Sequence, residues 1–274
     1  MDAALRSWID AHPYLAPLEV FSRVVGEALS GAPAAALPEP RWDAYAPDHA
    51  RGVPLLLSPA AGLDVRGPGA AVLTHATGRV AKASVPEKLA REAGELSAWL
   101  AASPSAGRDA IDWLLAGGDA PVDNAGLLRF LGWSALQRIL APVRDAYAAW
   151  REPSRWARGS CPTCGAAPVM AQLAGPENER VRTLVCAPCG TRWPYRRVAC
   201  PFCEAEAPEK LEVLEIEEEP LLRLDVCHAC RGYLKTYVGQ GDERVMLADW
   251  SSLHLDVLAR DRGLERRGES LYDL

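Results

Sequence analysis

Apolar residues recur at helical spacing through the first half of the chain. One stripe is Leu18, Phe21, Val24, Val25, Ala28 and Leu29; a second is Leu89, Ala93, Leu96, Trp99 and Leu100. A third takes in Ile111, Trp113, Leu114 and Leu115. The longest runs through Leu127, Leu128, Leu131, Leu136, Ile139, Leu140 and Tyr147, is entered after Asp123 and Asn124, and carries Pro142 as an expected kink. Such three- and four-residue periods bury one face of a helix. Residues 31–70 break the pattern with Pro38, Pro40, Pro54, Pro68 and several glycines. They predict an extended loop laid on the helical body and anchored by Leu55, Leu56 and Leu57.

Helical periodicity stops near the segment Trp150 to Trp156. Short β-rich runs replace it, at 182–185, 211–216 and 221–226. Alternation in Leu211, Val213 and Glu215 predicts a half-exposed strand. Near the C-terminus, Trp250, Leu253, Val257 and Leu258 predict the apolar face of a closing helix, followed by a polar tail over 264–274.

The cysteines change the picture most. All eight fall in four C-x-x-C pairs between residues 161 and 230: Cys161/Cys164, Cys186/Cys189, Cys200/Cys203 and Cys227/Cys230. Two residues between cysteines let both sulfurs of one turn face a single ion, and two such turns complete a tetrahedron. The region is also an internal repeat, since Cys161-Pro-Thr-Cys164 recurs 39 residues later as Cys200-Pro-Phe-Cys203. The second knuckle of each copy is trailed by aromatics, Trp193 and Tyr195 in one and Tyr233 and Tyr237 in the other. The repeat pairs the first knuckle with the second and the third with the fourth, giving two equivalent modules. Each is near the lower size limit for folding on a hydrophobic core alone, so a bound ion would decide whether it holds its shape. Gly165 and Gly190, directly after second cysteines, predict positive φ. Glu204 and Arg231 stand there in the second module, whose knuckles are expected to be less regular.

The predicted architecture is α+β and multidomain. An all-α domain over 1–155 is followed by two tandem small β modules of rubredoxin or zinc-ribbon type, 156–198 and 199–243. A C-terminal helix and tail cover 244–274. No basic segment leads into an apolar run at the N-terminus, and no apolar stretch is long enough to span a bilayer. A cytoplasmic protein without membrane insertion is therefore expected, and that reducing compartment favours metal ligation over disulfides. Iron and zinc both accept four thiolates, and spacing does not choose between them.

Net charge is −6, and residues 161–240 hold nine Lys or Arg against eleven Asp or Glu. This lacks the basic footprint of a nucleic-acid binder. Neither a phosphate-binding P-loop nor a nucleophile-elbow motif occurs, so no catalytic constellation is predicted. Trp193 to Arg197 is read either as a turn covering the metal or as a partner-contacting surface. His228, inside the fourth knuckle, is expected to stand outside the ligand set. His12, His49, His75 and His254 show no metal spacing. The run Glu215 to Glu219 is expected to be a solvated hairpin.

With these residues assembled, the chain resembles the formate dehydrogenase accessory protein family of FdhE type. The resemblance rests on Cys161 to Pro168, Arg182 to Cys203, Asp225 to Tyr237 and Ala248 to Asp256. It implies a non-catalytic assembly factor that acts on the catalytic subunit of a respiratory formate dehydrogenase in the cytoplasm. It further implies that all eight cysteines ligate two ions, iron in rubredoxin-like sites being favoured over zinc, and leaves a homodimer open. A zinc-ribbon nucleic-acid binder and a rubredoxin-like electron carrier are the alternatives.

Overall fold

The computed structural model describes residues 3–152 and 155–272. Pro153 and Ser154, within the expected change of composition, lie outside the described residues, as do Met1, Asp2, Asp273 and Leu274. The helices are α1 (Ala3–Ala11), α2 (Ala16–Ser30), α3 (Trp42–Arg51), α4 (Arg66–Val80), α5 (Glu87–Ala102), α6 (Ala106–Ala116), α7 (Ala125–Trp150), α8 (Glu243–Met246) and α9 (Leu253–Asp261). The strands are β1 (Met170–Ala174), β2 (Val181–Val185), β3 (Arg192–Tyr195), β4 (Leu211–Glu215), β5 (Leu222–Cys227), β6 (Gly232–Val238) and β7 (Glu265–Arg266).

Two compact units divide the chain. One comprises Met1–Leu15, Pro47–Leu55 and Arg151–Ser270; the other comprises Ala16–Ala46, Leu56–Trp150 and Leu271–Leu274. The unit boundaries thus cross the compositional division at 155, because the first fifteen residues cluster with the cysteine-bearing chain.

In the helical unit α4 is central and touches α2, α5, α6 and α7. Val72, Leu73 and Ala76 of α4 are fully buried, with Ile111 of α6 and Leu128, Leu131 and Leu136 of α7. Gly107 permits close approach of α6 to α4, since a Cβ there would lie 2.8 Å from that of Ala70. The expected loop over 31–70 is corrected: it contains α3, and α4 begins within it. Its Pro and Gly density masked a helix that survives Pro47 because its aromatic residues are packed. Trp42 stacks on Trp150 at 5.1 Å, and Tyr45 is fully buried. The helix α7 continues through Pro142 to Trp150. Among the described residues, no helix is long and apolar enough to cross a membrane.

The second unit is built on one seven-stranded sheet with the order β3-β2-β1-β6-β5-β4, β7 also pairing β6. Each cysteine repeat supplies an antiparallel meander, β1 to β3 and β4 to β6. The meanders join through a parallel pair, β1 with β6, in which Met170 faces Lys235 and Leu173 faces Val238. Leu222, Leu224, Val226, Tyr233 and Tyr237 pack against Met246, Leu255 and Ala259. The predicted Leu253 shares the buried face of α9 with Leu255 and Ala259, and Trp250 just before it is buried too, while the predicted Val257 is exposed. In β4 the predicted Val213 is likewise exposed, since this edge strand buries little of either face. The polar tail docks: β7 adds to β6, and Glu269 N–H donates to the Ala167 carbonyl at 3.3 Å.

Beneath the second meander lies a buried polar cluster. Lys235 Nζ donates to Asp249 Oδ1 at 2.6 Å and Asp256 Oδ2 at 2.7 Å. Tyr233 donates to Asp256 Oδ1 at 2.6 Å, and Ser270 donates to Asp249. Each charged group is thus met by an opposite charge or a hydroxyl, which a buried ion cluster requires.

Candidate metal centres

Three of the four C-x-x-C pairs sit on tight turns whose backbone is tied to itself. In the first knuckle Cys161 N–H donates to the Ala166 carbonyl at 2.8 Å, and Gly165 N–H donates to Cys161 at 2.9 Å. The third knuckle repeats this with Cys200 to Ala205 and Glu204 to Cys200, each at 2.9 Å. The second has Cys186 to Thr191 and Gly190 to Cys186, each at 3.0 Å. Gly165 and Gly190 have φ of 88° and 72°, as the sequence predicts. Glu204 and Arg231 take 60° and 58°, the same left-handed conformation. The third knuckle thus repeats the turn of the first module despite Glu204, and the fourth shares its left-handed φ at Arg231. At Glu204 the bonds that close the knuckle hold that conformation on a residue that disfavours it.

The turns bring the sulfurs together in the partition read from the repeat. Cys161, Cys164, Cys186 and Cys189 form one group and Cys200, Cys203, Cys227 and Cys230 another, all Sγ atoms of a group within 4.8 Å of one another. In the first, Cys161–Cys189 and Cys164–Cys186 are each 3.4 Å apart. In the second, Cys200–Cys230 are 3.7 Å and Cys203–Cys227 3.6 Å apart. A tetrahedron with metal–sulfur bonds of about 2.3 Å has edges of about 3.8 Å. A disulfide would draw two sulfurs to about 2.05 Å. The donor set and its spacing fit two tetrathiolate ions.

Electrostatics point the same way. Burial, with hydrogen bonds from its three partners, pushes the Cys186 thiol well up. At Cys189 burial opposes ionisation, yet its hydrogen bonds with the other three cysteines and with Thr191 hold the thiol well below its ordinary value. In the second group burial raises Cys200 and Cys230, whereas backbone and thiol hydrogen bonds outweigh burial to lower Cys227. Four thiols at these distances cannot all ionise without a cation among them.

The two centres differ in exposure. Cys161, Cys186 and Cys189 are buried, while Cys203 is exposed. Cys189 Sγ also lies 3.2 Å from Thr191 Oγ1, which donates to Thr163 at 2.8 Å. Trp193 is fully buried and donates to the Arg158 carbonyl at 3.1 Å; Tyr195 is also buried. Of that aromatic and basic segment, Arg196 and Arg197 remain on the surface. His228 is exposed, 2.7 Å from Glu212, and stands apart from the sulfur group. Beside the second centre a cavity of about 340 Å³ is lined by Arg182, Val198, Phe202, Val213 and Arg223.

Sequence reasoning missed one cluster. Glu219, the last acid of the presumed solvated run, lies within hydrogen-bond distance of both His12 and His254. No spacing rule could have joined positions so far apart.

Residues 160–197 match the family model described as the FdhE central domain. An FdhE homolog from Stutzerimonas stutzeri is 30% identical over 199 residues, which cover 69% of this chain and 58% of that protein. One from Pseudomonas aeruginosa is 32% identical over 123 residues, covering 42% of this chain and 39% of that protein. The chain thus spans less than two thirds of the length of these curated relatives. The crystal structure of the FdhE protein from Pseudomonas aeruginosa superposes with a TM-score of 0.60 at 23% identity, over 91% of this chain and 85% of that one, and so shares its fold.

Proposed function

Because this chain belongs to the FdhE-type family, we propose that it is a non-catalytic assembly factor for a respiratory formate dehydrogenase, binding the catalytic subunit in the cytoplasm. The observation that carries this is the pair of sulfur quartets built on one continuous sheet, in a chain of that family. In this reading Cys161, Cys164, Cys186 and Cys189 hold one ion, and Cys200, Cys203, Cys227 and Cys230 hold the second. Iron is favoured at both, zinc being the other ion this donor set accepts. The ions supply cross-links that hold each knuckle pair closed, with residues 156–198 and 199–243 as the two metal modules.

The cysteine turns position the sulfurs, and Phe202 N–H, within the third pair, reaches Cys200 Sγ at 3.4 Å and softens its charge. Thr191 adds a hydroxyl at the buried centre. Arg197 and Val198, exposed between the second and third knuckles, are assigned to the partner contact. Arginine at an interface pairs readily with a partner carboxylate.

Affinity capture tests the partner. The full chain should enrich a formate dehydrogenase catalytic subunit over an unrelated exported enzyme, and equal recovery of both would end the proposal. Anaerobic purification with elemental analysis tests the ions. Two iron per chain with a visible thiolate-to-iron spectrum is expected; a colourless protein with two zinc would remove iron and leave the assembly role standing.

A further inference from the structure

Outside both sulfur quartets, three side chains distant in sequence meet at one point of the cysteine-bearing unit. His12 follows α1, Glu219 lies in the turn between β4 and β5, and His254 is the second residue of α9. His12 Nε2 is 2.9 Å from the Glu219 carboxylate, and His254 Nε2 is also 2.9 Å from it. The two imidazoles stack with centroids 5.3 Å apart, and Tyr14 sets its ring edgewise to both. The side chains of His12, Glu219 and His254 are 13%, 11% and 22% exposed.

Proton placement singles out His12. Its Nδ1 lies 3.0 Å from the Trp8 carbonyl oxygen, which can only accept, so Nδ1 carries a proton. In the neutral ring Nε2 then presents a bare lone pair to a carboxylate that has only lone pairs to offer. Two acceptors at that distance repel, and a positive centre between them resolves the contact. An additional proton on His12 would serve, and so would a metal ion. The Trp8 carbonyl is the type of partner that fixes a metal-ligating imidazole by its far nitrogen.

We propose that His12, Glu219 and His254 form a further divalent-metal site, of two imidazole nitrogens and one carboxylate, separate from the sulfur centres. Their ligand atoms lie within 4.8 Å of one another. Ligand bonds of about 2.0–2.1 Å give tetrahedral edges of about 3.3 Å, so the two contacts to Glu219 open by a few tenths of an ångström when an ion enters, and the two imidazole nitrogens settle to the same separation. The donor set suits zinc and its borderline neighbours rather than ions that demand all-thiolate or all-oxygen surroundings. Three protein ligands leave one position for water. The consequence is mechanical. An ion here ties the end of α1 to the β4–β5 turn and to α9, beside the bond from Trp8 Nε1 to the Ser251 carbonyl at 3.0 Å. Docking of the N-terminal helix onto the second cysteine module would then respond to a divalent ion held without sulfur.

Cobalt(II) chloride added to the full chain, with its sulfur quartets saturated by zinc, tests this. One further equivalent should bind, with visible ligand-field bands and no thiolate-to-cobalt band in the near ultraviolet. His12→Gln and His254→Gln should each lose that equivalent while retaining their zinc. In the unmodified chain the ring protons of both histidines should show paramagnetic shifts, a readout that needs no variant. No uptake by the zinc-filled chain, uptake with a thiolate band, or unshifted histidines would overturn the site and leave a protonated His12 as the positive centre.

Discussion

Arg231 and Gly190 occupy equivalent turns after the last cysteine of each repeat, with φ of 58° and 72°. An L side chain in the left-handed region costs roughly 1–2 kcal/mol, part of which glycine returns as unfolded-chain entropy. Glu204, exposed and at φ 60°, carries the same strain. Glu204→Gly should therefore stabilise the metal-loaded protein, by up to about 1 kcal/mol. Arg231→Gly should gain less, because it forfeits the bond from Arg231 to the Gly263 carbonyl at 2.6 Å. Chemical denaturation of both variants at saturating metal checks the order.

Cys161→Ser and Cys227→Ser should each lose one ion and keep the other. The parallel pairing of β1 with β6 means that neither meander stands alone, so each variant should also loosen the strand it shares with the intact repeat. Elemental analysis gives the stoichiometry. Limited proteolysis should cut within 161–240 in both variants and spare the helical unit.

Lys235 is the sole positive partner bonded to Asp249 and Asp256 within the buried cluster beneath the second meander, among the described residues. Lys235→Met leaves both carboxylates buried without it. Breaking such an arrangement costs about 3–5 kcal/mol. Urea unfolding should show a loss of that size, and Asp249→Asn with Asp256→Asn in the same background should recover part of it. Full retention of stability in Lys235→Met alone would refute the structural role of the cluster.

His49 supplies a pH dependence. Burial foremost, then the positive charges of Arg151 and Arg155, holds its imidazole below the ordinary histidine value. The unfolded chain takes up a proton near pH 6.5 that the folded chain still refuses. Stability from this group is therefore present above about pH 6.5 and lost as pH falls through the lower folded value. His49→Gln should flatten the fall in unfolding free energy between pH 7 and 5 relative to the unmodified chain. Parallel slopes would dismiss His49 as the cause.

The sulfur centres were legible in the sequence because each C-x-x-C is a local turn and the repeat fixes which turns pair. Gly165 and Gly190 announced their positive φ in the same way. Three features were hidden. The helix α3 lay under Pro38, Pro40 and Pro47, since the stacking of Trp42 on Trp150 that supports it is tertiary. The join between meanders could not be read, because β1 and β6 lie outside the β-rich runs and are buried on both faces, so their pattern does not say which strand lies at either edge. Glu219 looked like one more acid in a solvated run, yet the β4–β5 turn carries it to two histidines from opposite ends of the chain.

The β1–β6 pairing has a consequence for synthesis. Parallel strands need a crossover, here the remainder of the first repeat and most of the second, so β1 leaves the ribosome well before its neighbour exists. Until then its outer edge offers unpaired backbone groups to whatever lies nearby. The earlier sulfur quartet can take its ion during that interval, and the later one cannot. Synthesis thus completes the N-terminal sulfur quartet before the C-terminal one, and a pause in translation between them would leave the outer edge of β1 without its neighbour.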